Sequence, residues 1–313
     1  MASFTVCASP LAERCATLWS GVPICNAAVH RADRRQVCWQ RAVMSLPVHQ
    51  IDRRLRGDRR QSEPHPVASD LGQAITADAI DLLFQPQYAA AGNALSGAEA
   101  LARWHHPVHG SLAGDALVAI AQSSGLARRL TRHIVRGALG VAADWPAHLR
   151  LSLNVTAADL LDRTYVDDLL ALVADSGVAA ERLTLEITEH ALVADLDRSA
   201  ERLALLAEAG IRIALDDFGA GFCNFHYLKV LPLDALKLDR SMVQGVAHDR
   251  RDLAILRAIV AMARTLELRI IAEGIETPAQ RDVAAREGCD LWQGFLGGRP
   301  MTSAAFADHI SAC

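Results

Sequence analysis

The hydrophobic positions of the chain form a repeating pattern from about residue 78 onward. Short runs rich in leucine, isoleucine or valine alternate with longer stretches whose apolar residues recur at helical spacing. The runs are LLFQPQY (82–88), LSGAEALARW (95–104), LRLSLNVT (149–156), LTLEITE (183–189), RIALDDFG (212–219), ALKLD (235–239), LRIIAEGIE (268–276) and DLWQG (290–294). Eight strands alternating with helices predict an α/β fold, a (β/α)8 TIM-type barrel; a doubly wound open sheet is the alternative. No glycine-rich nucleotide fingerprint follows the first run, which favours the barrel.

Local signals also predict where several helices begin and end. Thr277 is a predicted N-cap, Pro278 follows at the first helical position, and Gln280 completes a capping box. That helix is expected to end at Gly288, and another at Gly210. A third helix, between residues 251 and 266, shows one apolar stripe, made by Leu253, Leu256, Ile259, Val260 and Ala263.

Residues 1–75 differ from the rest of the chain because they show no sustained apolar periodicity. Residues 51–60 are dense in arginine, and residues 62–69, SEPHPVAS, are predicted to form a linker. We therefore divide the chain into a basic N-terminal segment, residues 1–75, mostly disordered or linker, and a barrel domain, residues 76–313. The basic run predicts a solvated tail, with contact to an anionic membrane or to nucleic acid as the alternative.

Composition narrows the class of protein further. The chain has 313 residues, 51% of them hydrophobic, and its formal net charge of −4 gives no reason to expect nucleic acid as a partner. No uncharged apolar run approaches the roughly 18 residues of a transmembrane segment, and the N-terminus lacks the pattern of a signal peptide. Seven cysteines without a CxxC pair indicate reduced thiols. We therefore expect a cytoplasmic protein.

Polar residues end nearly all the predicted strands: Gln85, Glu99, Asn154, Glu186, Asp216, Asp217, Lys237, Glu273 and Gln293. In a barrel these ends meet at one rim, where the active site lies. Converging carboxylates repel one another unless a cation lies between them, and oxygen ligands favour Mg²⁺ or Mn²⁺. The sequence therefore predicts a divalent-cation site at this rim. Arg103 is expected either to bind a phosphate or to pair with a neighbouring acid.

The adjacent acids Asp216 and Asp217 pose a geometric question, because neighbouring strand residues point to opposite faces. We expect the turn at the strand end, helped by Gly219 and Gly221, to bring both acids to the site. A pair of helix N-caps is the alternative interpretation. Lys237 is expected either to hold a water or an anionic oxygen, or to pair with an acid.

Residues 78 to about 302 resemble the EAL-domain phosphodiesterases, which cleave the bacterial second messenger cyclic di-GMP (c-di-GMP) to linear pGpG. The motif that names this family is present as Glu99, Ala100 and Leu101, within GAEALARW. The similarity continues in the family's order through FQPQ (84–87), NVT (154–156), EITE (186–189), DDFGAG (216–221), YLKVLPLDALKLDRS (227–241), AEGIET (272–277) and GCDLWQGF (288–295). Motifs spread over three quarters of the chain make the resemblance specific.

The resemblance implies roles for individual residues. The implied metal ligands are Glu99, Asn154, Glu186, Asp216 and Asp217. The implied catalytic residues are Lys237, which holds the attacking water, Glu273, the proposed general base, and a further acid, Glu276. The implied substrate contacts are Gln85, Leu101, Arg103 and Gln293. Glu189 matches the acid that anchors the loop over residues 218–226.

The chain departs from the family pattern in loops near the site. Ala220 stands where the family commonly has threonine, and FCNFH (222–226) replaces the common YSSLS. SLAG (111–114) replaces a proline-containing segment, and Gln122 replaces a glutamate. The implied metal ligands and Lys237 are all retained.

The function that the resemblance implies is hydrolysis of c-di-GMP to 5′-pGpG at a two-metal site holding Mg²⁺ or Mn²⁺. It also implies a homodimer. The first alternative is a catalytically weak or inactive domain that senses c-di-GMP or docks another protein. The second is a barrel hydrolase acting on a different phosphodiester. Because no GGDEF-like cyclase motif is present, regulation is expected to act through residues 1–75, oligomerisation or another protein.

Overall fold

The computed structural model describes residues 66–192, 195–221 and 224–312. The strands of these residues are β1 Asp81–Ala89, β2 Leu95–His106, β3 Gly110–Ala113, β4 Arg150–Val155, β5 Leu183–Thr188, β6 Arg212–Phe218, β7 Ala235–Leu238, β8 Arg269–Ala272, β9 Leu291–Gln293 and β10 Met301–Thr302. Eight of them close a barrel in the order β1, β2, β4, β5, β6, β7, β8, β9 and back to β1. The predicted barrel is therefore confirmed.

Helices surround the barrel and follow most of its strands. They are α1 Pro66–Thr76, α2 Gly114–Ser123, α3 Ala127–Ala142, α4 Ala157–Leu161, α5 Tyr165–Ser176, α6 Glu189–Leu192, α7 Leu196–Glu208, α8 Phe225–Val230, α9 Arg240–Val243, α10 Arg250–Thr265, α11 Pro278–Glu287 and α12 Ser303–Ala312, with a 3-10 turn at Ala180–Arg182. The capping box of Thr277 and Gln280 at the start of α11, and the helix end at Gly288, are confirmed. In α10 the predicted stripe faces inward, with Leu256, Val260 and Ala263 buried.

The first strand runs in the opposite direction to the rest of the barrel. β1 is antiparallel to both of its barrel neighbours, β2 and β9, whereas the other neighbouring barrel strands are parallel. Only residues 90–94 separate β1 from β2, and a parallel pair would need a connection of about a dozen residues. Gly92 and Asn93 form this turn in left-handed conformations, with φ angles of 79° and 55°. The pattern of apolar runs along the chain does not by itself indicate this reversal.

The barrel wall separates a large apolar layer from a much smaller one. Outward-facing leucines of β4, β5 and β6, such as Leu153, Leu185 and Leu215, are buried beneath the surrounding helices. Inside the barrel, Ala214, Ala235 and Ile271 form a separate small cluster. Because the inward-facing side chains of this layer are small, the interior keeps room for polar groups and cavities.

One prediction for the N-terminal segment is wrong. Residues 66–69 belong to α1, so the linker predicted over residues 62–69 does not include its last four positions. Pro66 lies at the first helical position, where its missing N–H has no intrahelical partner to lose, and Leu71 and Ile75 pack with Trp104. The arginine-rich run and the first four cysteines lie outside the described residues. Within the described ranges, no helix has both the length and the apolar character needed to cross a membrane.

Candidate active site

Polar side chains of neighbouring strands converge at the carboxyl-terminal end of the barrel, as predicted. Glu99 of β2, Glu186 of β5 and Asp216 of β6 are all within 4 Å of one atom, the Nζ of Lys237 on β7. Glu273, which directly follows β8, joins them. Inward-facing positions alternate with outward-facing leucines and alanines, so each strand contributes one polar group to this layer.

Asp216 and Asp217 reach the site through a β-bulge in β6. Leu215 pairs with Leu236 and Phe218 with Leu238, so two residues of β6 lie opposite one residue of β7. Asp217 takes a left-handed conformation, with a φ of 56°, and donates its backbone N–H to Oδ1 of Asp216 at 2.8 Å.

The predicted explanation for this acid pair therefore needs correction. The change of direction lies within the strand rather than at its end. Gly219 does adopt a left-handed φ of 99° after the strand, whereas Gly221 does not adopt a positive φ. Asp217 itself takes the unusual backbone conformation, and aspartate tolerates it better than most residues with a side chain.

Lys237 is the electrostatic centre of the site. Its Nζ lies 2.5 Å from Glu186 Oε2, 2.8 Å from Glu273 Oε1 and 3.0 Å from Asp216 Oδ2, with Glu99 Oε2 at 3.7 Å. An ammonium group has three N–H donors, and three carboxylates lie within hydrogen-bonding distance of them. These attractions outweigh burial and raise the pKa of Lys237 well above its usual value. Lys237 therefore stays charged although it is only 1% exposed.

The use of lysine here is selective. The chain contains two lysines, Lys229 and Lys237, and otherwise uses arginine for positive charge. A compact ammonium can point its donors at carboxylates on several sides, whereas a guanidinium is a planar fork suited to one or two partners. The space between the carboxylates of the acid layer therefore suits an ammonium better than a guanidinium.

Glu99 is held by amide groups on both sides. Its Oε1 accepts a hydrogen bond from Asn154 Nδ2 at 2.7 Å, and its Oε2 accepts one from Gln293 Nε2 at 2.8 Å. Burial opposes ionisation, but Lys237 and these two donors together lower the pKa of Glu99. This carboxylate is therefore fixed in position and charged.

Burial and mutual repulsion raise the pKa values of three other acids of the site. Burial raises the pKa of Glu186 well above its usual range. The attraction of Lys237 does not fully offset this effect, and repulsion from Glu99 and Asp216 adds to it. Burial likewise raises the pKa of Glu273 to about 8. Partial desolvation, followed by repulsion from Asp216, raises the pKa of Asp217. With one ammonium among five carboxylates, the site retains an excess of negative potential that favours cations.

Three of these acids form a group that can hold a metal ion. One carboxylate oxygen each of Asp216, Asp217 and Glu273 lies within 4.8 Å of the others. Carboxylate oxygens without cysteine or histidine suit a hard cation such as Mg²⁺ or Mn²⁺. Glu99, Asn154 and Glu186, the other implied ligands, lie in the adjoining part of the same layer, joined to this group through Lys237 or through Glu99.

A cavity of about 280 Å³ opens above the acids. Among the residues that line it are Gln85, Leu101, Glu276 and Gln293, all predicted from the sequence. Glu276 contacts Arg240, whose Nη2 lies 3.2 Å from Glu276 Oε1. The cavity therefore has an ion pair between an arginine and a carboxylate at the edge of the acid layer.

Comparison with known proteins shows which family the chain belongs to. A family model described as the EAL domain matches residues 68–300. The chain belongs to the EAL-domain family. It is 36% identical over 259 residues to the cyclic di-GMP phosphodiesterase NbdA of Pseudomonas aeruginosa, a match that covers 81% of this chain and 33% of NbdA. It is 37% identical over 240 residues to the bifunctional diguanylate cyclase/cyclic di-GMP phosphodiesterase MucR of the same organism, covering 74% of this chain and 34% of MucR.

A solved structure of the PaMucR phosphodiesterase in complex with c-di-GMP is similar to this chain, with a TM-score of 0.71 and 35% identity. The similarity covers 77% of this chain and 100% of that one. The chain spans about a third of the length of NbdA and of MucR. The correspondence therefore concerns the EAL domain of these larger relatives.

Not all the residues that the EAL resemblance implies line the acid cavity. Arg103 lines a neighbouring cavity of about 430 Å³, which shares Glu99 and Leu101 with the first, and its Nη1 donates to the carbonyl of Ala102 at 2.9 Å. Glu189 begins α6 directly after β5. Its implied role as loop anchor stays a prediction, because residues 222 and 223 of that loop lie outside the described ranges.

Sequence reasoning missed three residues of the EAL site. Gln87 donates from Nε2 to Gln293 Oε1 at 2.9 Å and to Glu186 Oε1 at 3.4 Å, beneath the acid layer. Its position two residues after Gln85 on a strand was the signal, because both side chains point to the same face. Arg240 and the 46% exposed Phe295 also line the acid cavity. Arg240 begins the short helix α9 just after β7, and Phe295 lies in the turn after β9; both segments are too short to show a periodic pattern that would indicate the direction of their side chains.

Proposed function

We propose that this EAL domain hydrolyses c-di-GMP to 5′-pGpG and depends on Mg²⁺ or Mn²⁺ to do so. The observation that carries the proposal is the group formed by Asp216, Asp217 and Glu273, of which Asp216 and Glu273 line an open cavity. The similarity to PaMucR, solved with c-di-GMP, supports the choice of substrate. The retention of every implied ligand supports hydrolysis rather than binding alone.

The acid layer has the groups that such a reaction needs. Divalent cations held by the acids would lower the pKa of a bound water and offset charge on the phosphodiester. Burial raises the pKa of Glu273 to about 8, and cations bound beside it would lower that pKa and keep its carboxylate ionised, so we assign it the proton of the attacking water. The ligand set that we propose for two cations is Asp216 and Asp217 together with Glu99, Asn154 and Glu186, with Glu273 beside them as the base.

Lys237 fixes the spacing of these groups. Its three N–H donors lie against Glu186, Asp216 and Glu273, so it restrains a proposed ligand on β5, another on β6 and the proposed base. We propose that it also orients the attacking water when the carboxylates turn towards cations. The 3′ oxygen of the substrate then leaves on the side opposite the attack.

The direct test is product analysis with the full chain. Incubation with c-di-GMP and Mg²⁺ or Mn²⁺ is expected to yield 5′-pGpG, identified by chromatography and mass. The same protein treated with a chelator is expected to yield none, and added cation is expected to restore turnover. Tight binding of c-di-GMP without product in either cation would instead identify a sensor or docking module. Hydrolysis of other phosphodiesters in preference to c-di-GMP would contradict the substrate assignment.

Phe295 is expected to contribute to substrate binding rather than to the chemical step. Its ring is 46% exposed, lines the acid cavity and lies under the guanidinium of Arg299, 4.0 Å from its centroid. Stacking of a base on an aromatic ring contributes roughly 1–3 kcal/mol, so Phe295→Ala is expected to raise KM for c-di-GMP about tenfold or more while kcat changes little. Steady-state kinetics test this, with Leu205→Ala, an exposed apolar side chain on α7, as the control. A fall in kcat at constant KM would contradict the assignment.

A further inference from the structure

A second cavity, of about 340 Å³, opens at the opposite, amino-terminal end of the barrel. Its wall includes Ser152 of β4, Thr184 of β5 and Ala235 of β7, small residues that leave the interior under the acid layer unfilled. Its roof is Gln87, the side chain that also supports Glu186 and Gln293. This cavity has no part in the function proposed above.

Arginines begin three alternate strands at this end of the barrel. Arg150, Arg212 and Arg269 are the first residues of β4, β6 and β8. Strands β4 and β8 lie on opposite sides of the eight-stranded ring, four places apart, and β6 lies midway between them. Arg150 and Arg269 line the same cavity, so two guanidinium groups approach it from opposite walls. His148 stands beside them.

These arginines are not engaged by acids. No carboxylate is among the residues that line the cavity, and no ion pair within 4.0 Å joins Arg150, Arg212 or Arg269 to a described residue. The Nη1 atoms of Arg150 and Arg212 are shielded from solvent and have no hydrogen-bond partner among the described residues. The nearby Asp234 accepts the backbone N–H of Ile213 at 2.9 Å, so part of its capacity is used by the chain itself.

The arrangement is unfavourable for the folded protein alone. Burial and then repulsion from Arg269 lower the pKa of Arg212, with Asp234 offsetting only part of the effect. The three side chains are half-buried, and the shielded Nη1 atoms of Arg150 and Arg212 have lost water without gaining a partner, which costs free energy. A contribution to barrel stability therefore does not explain the two arginines that line this cavity, whereas an anionic ligand does.

We propose that this cavity binds a phosphate group, either inorganic phosphate or a small phosphomonoester. Arginine forks match the oxygens of a phosphate, and two forks from opposite walls can hold two of its edges. The hydroxyl of Thr184 and the ring of His148 supply further polar groups along the same wall, whereas Ser152 Oγ donates to Gln87 Oε1 at 3.5 Å. The volume exceeds that of a lone phosphate ion, which leaves space for the rest of a small phosphomonoester.

The test compares the wild-type chain with Arg150→Gln, Arg269→Gln and a control, Arg136→Gln. Arg136 is exposed on α3, so its replacement by glutamine removes the same charge outside the cavity. Thermal unfolding is measured in phosphate and in chloride of equal ionic strength, in one Mg²⁺-containing buffer, and phosphate affinity is measured by calorimetry. Phosphate is expected to raise the unfolding midpoint of the wild type and of Arg136→Gln. Each cavity variant is expected to bind phosphate at least about tenfold more weakly than the wild type. Phosphate is expected to raise the unfolding midpoint of these variants little or not at all.

The unfolding midpoint in chloride separates a ligand site from a structural role. Because the arginines lack partners, Arg150→Gln and Arg269→Gln are expected to unfold in chloride at or above the wild-type midpoint. A second titration uses glycerol 3-phosphate, and tighter binding than inorganic phosphate would support a phosphomonoester as occupant. Equal phosphate effects on all four proteins would overturn the proposal, as would no effect on any. A lower midpoint in chloride for both cavity variants than for Arg136→Gln would also overturn it, since the arginines would then stabilise the fold itself.

Discussion

Replacing Glu99 with glutamine is expected to lower kcat for c-di-GMP by roughly 10³-fold or more. Cation binding at such a site stabilises a phosphoryl transition state by several kcal/mol, and each 1.4 kcal/mol is a factor of ten in rate. Both oxygens of Glu99 accept hydrogen bonds, from Asn154 and Gln293. An amide at this position loses the charge and also turns one of these contacts into a clash between two donors. The substitution therefore changes both the charge of the proposed ligand and its orientation.

The control for this experiment is Glu208→Gln, which removes a carboxylate from the exposed end of α7. It is expected to leave both kcat and Mg²⁺ affinity at wild-type values. Calorimetric titration of Mg²⁺ should show binding to Glu99→Gln weakened by about 10-fold to 100-fold, with a retained unfolding transition showing that the barrel has formed. Substantial pGpG production by purified Glu99→Gln would refute the assignment of Glu99 as a ligand.

The sequence predicts the strands and the polar rim of this barrel well for a physical reason. Each strand is a short apolar run with one polar position facing inward, and the parallel pairing brings these positions to the same end. The reversal of β1 was also readable in principle, since residues 90–94 contain Gly92 and Asn93, a turn signal too short for a crossover. Local pattern and connection length together therefore determine most of the architecture.

What the sequence does not determine is which residues touch across the barrel. The bulge at Asp216 and Asp217 is a mismatch in register between β6 and β7, and register depends on hydrogen bonds between distant segments. The four carboxylates around Lys237 come from four separate segments of the chain. No spacing along the chain therefore reveals that they all contact the same ammonium group. The arginines of β4, β6 and β8 are single residues in separate runs, and their convergence follows from closure of the ring.

The first helix of the domain shows another limit of prediction from local sequence signals. The prolines and small polar residues of 62–69 indicated a linker, yet Pro66 begins α1. The same residue type marks a loop and the first turn of a helix, because both need no N–H donor at that position. The apolar residues that decide between them, such as Leu71 and Ile75, pack against Trp104 more than 25 residues later in the chain. A tertiary contact therefore overrides the local signal.

Replacing Lys237 with methionine is expected to lower the free energy of unfolding by about 3–5 kcal/mol at pH 8 and to abolish hydrolysis. Methionine has a similar length and no charge, so Glu99, Glu186, Asp216 and Glu273 would lose the ammonium that offsets their repulsion. Removing one partner of a buried ion pair leaves the other charges uncompensated, which is the source of this magnitude. Urea unfolding measures the change, and the exposed Lys229→Met, the other lysine of the chain, is the matched control.

The pH dependence gives this prediction a distinctive form. The pKa of Glu273 is about 8 in the folded protein against 4.5 for an ordinary glutamate, so its protonation favours the folded state. That contribution is complete below about 4.5 and is lost as the pH rises through about 8, and removal of Lys237 raises these carboxyl pKa values further. Lys237→Met should therefore recover stability relative to the wild type as the pH falls from 8 towards 5. It should also recover stability with Mg²⁺ at pH 8, because a cation can replace the missing charge. If Lys237→Met and Lys229→Met unfold alike at both pH values, Lys237 does not hold the acid layer together.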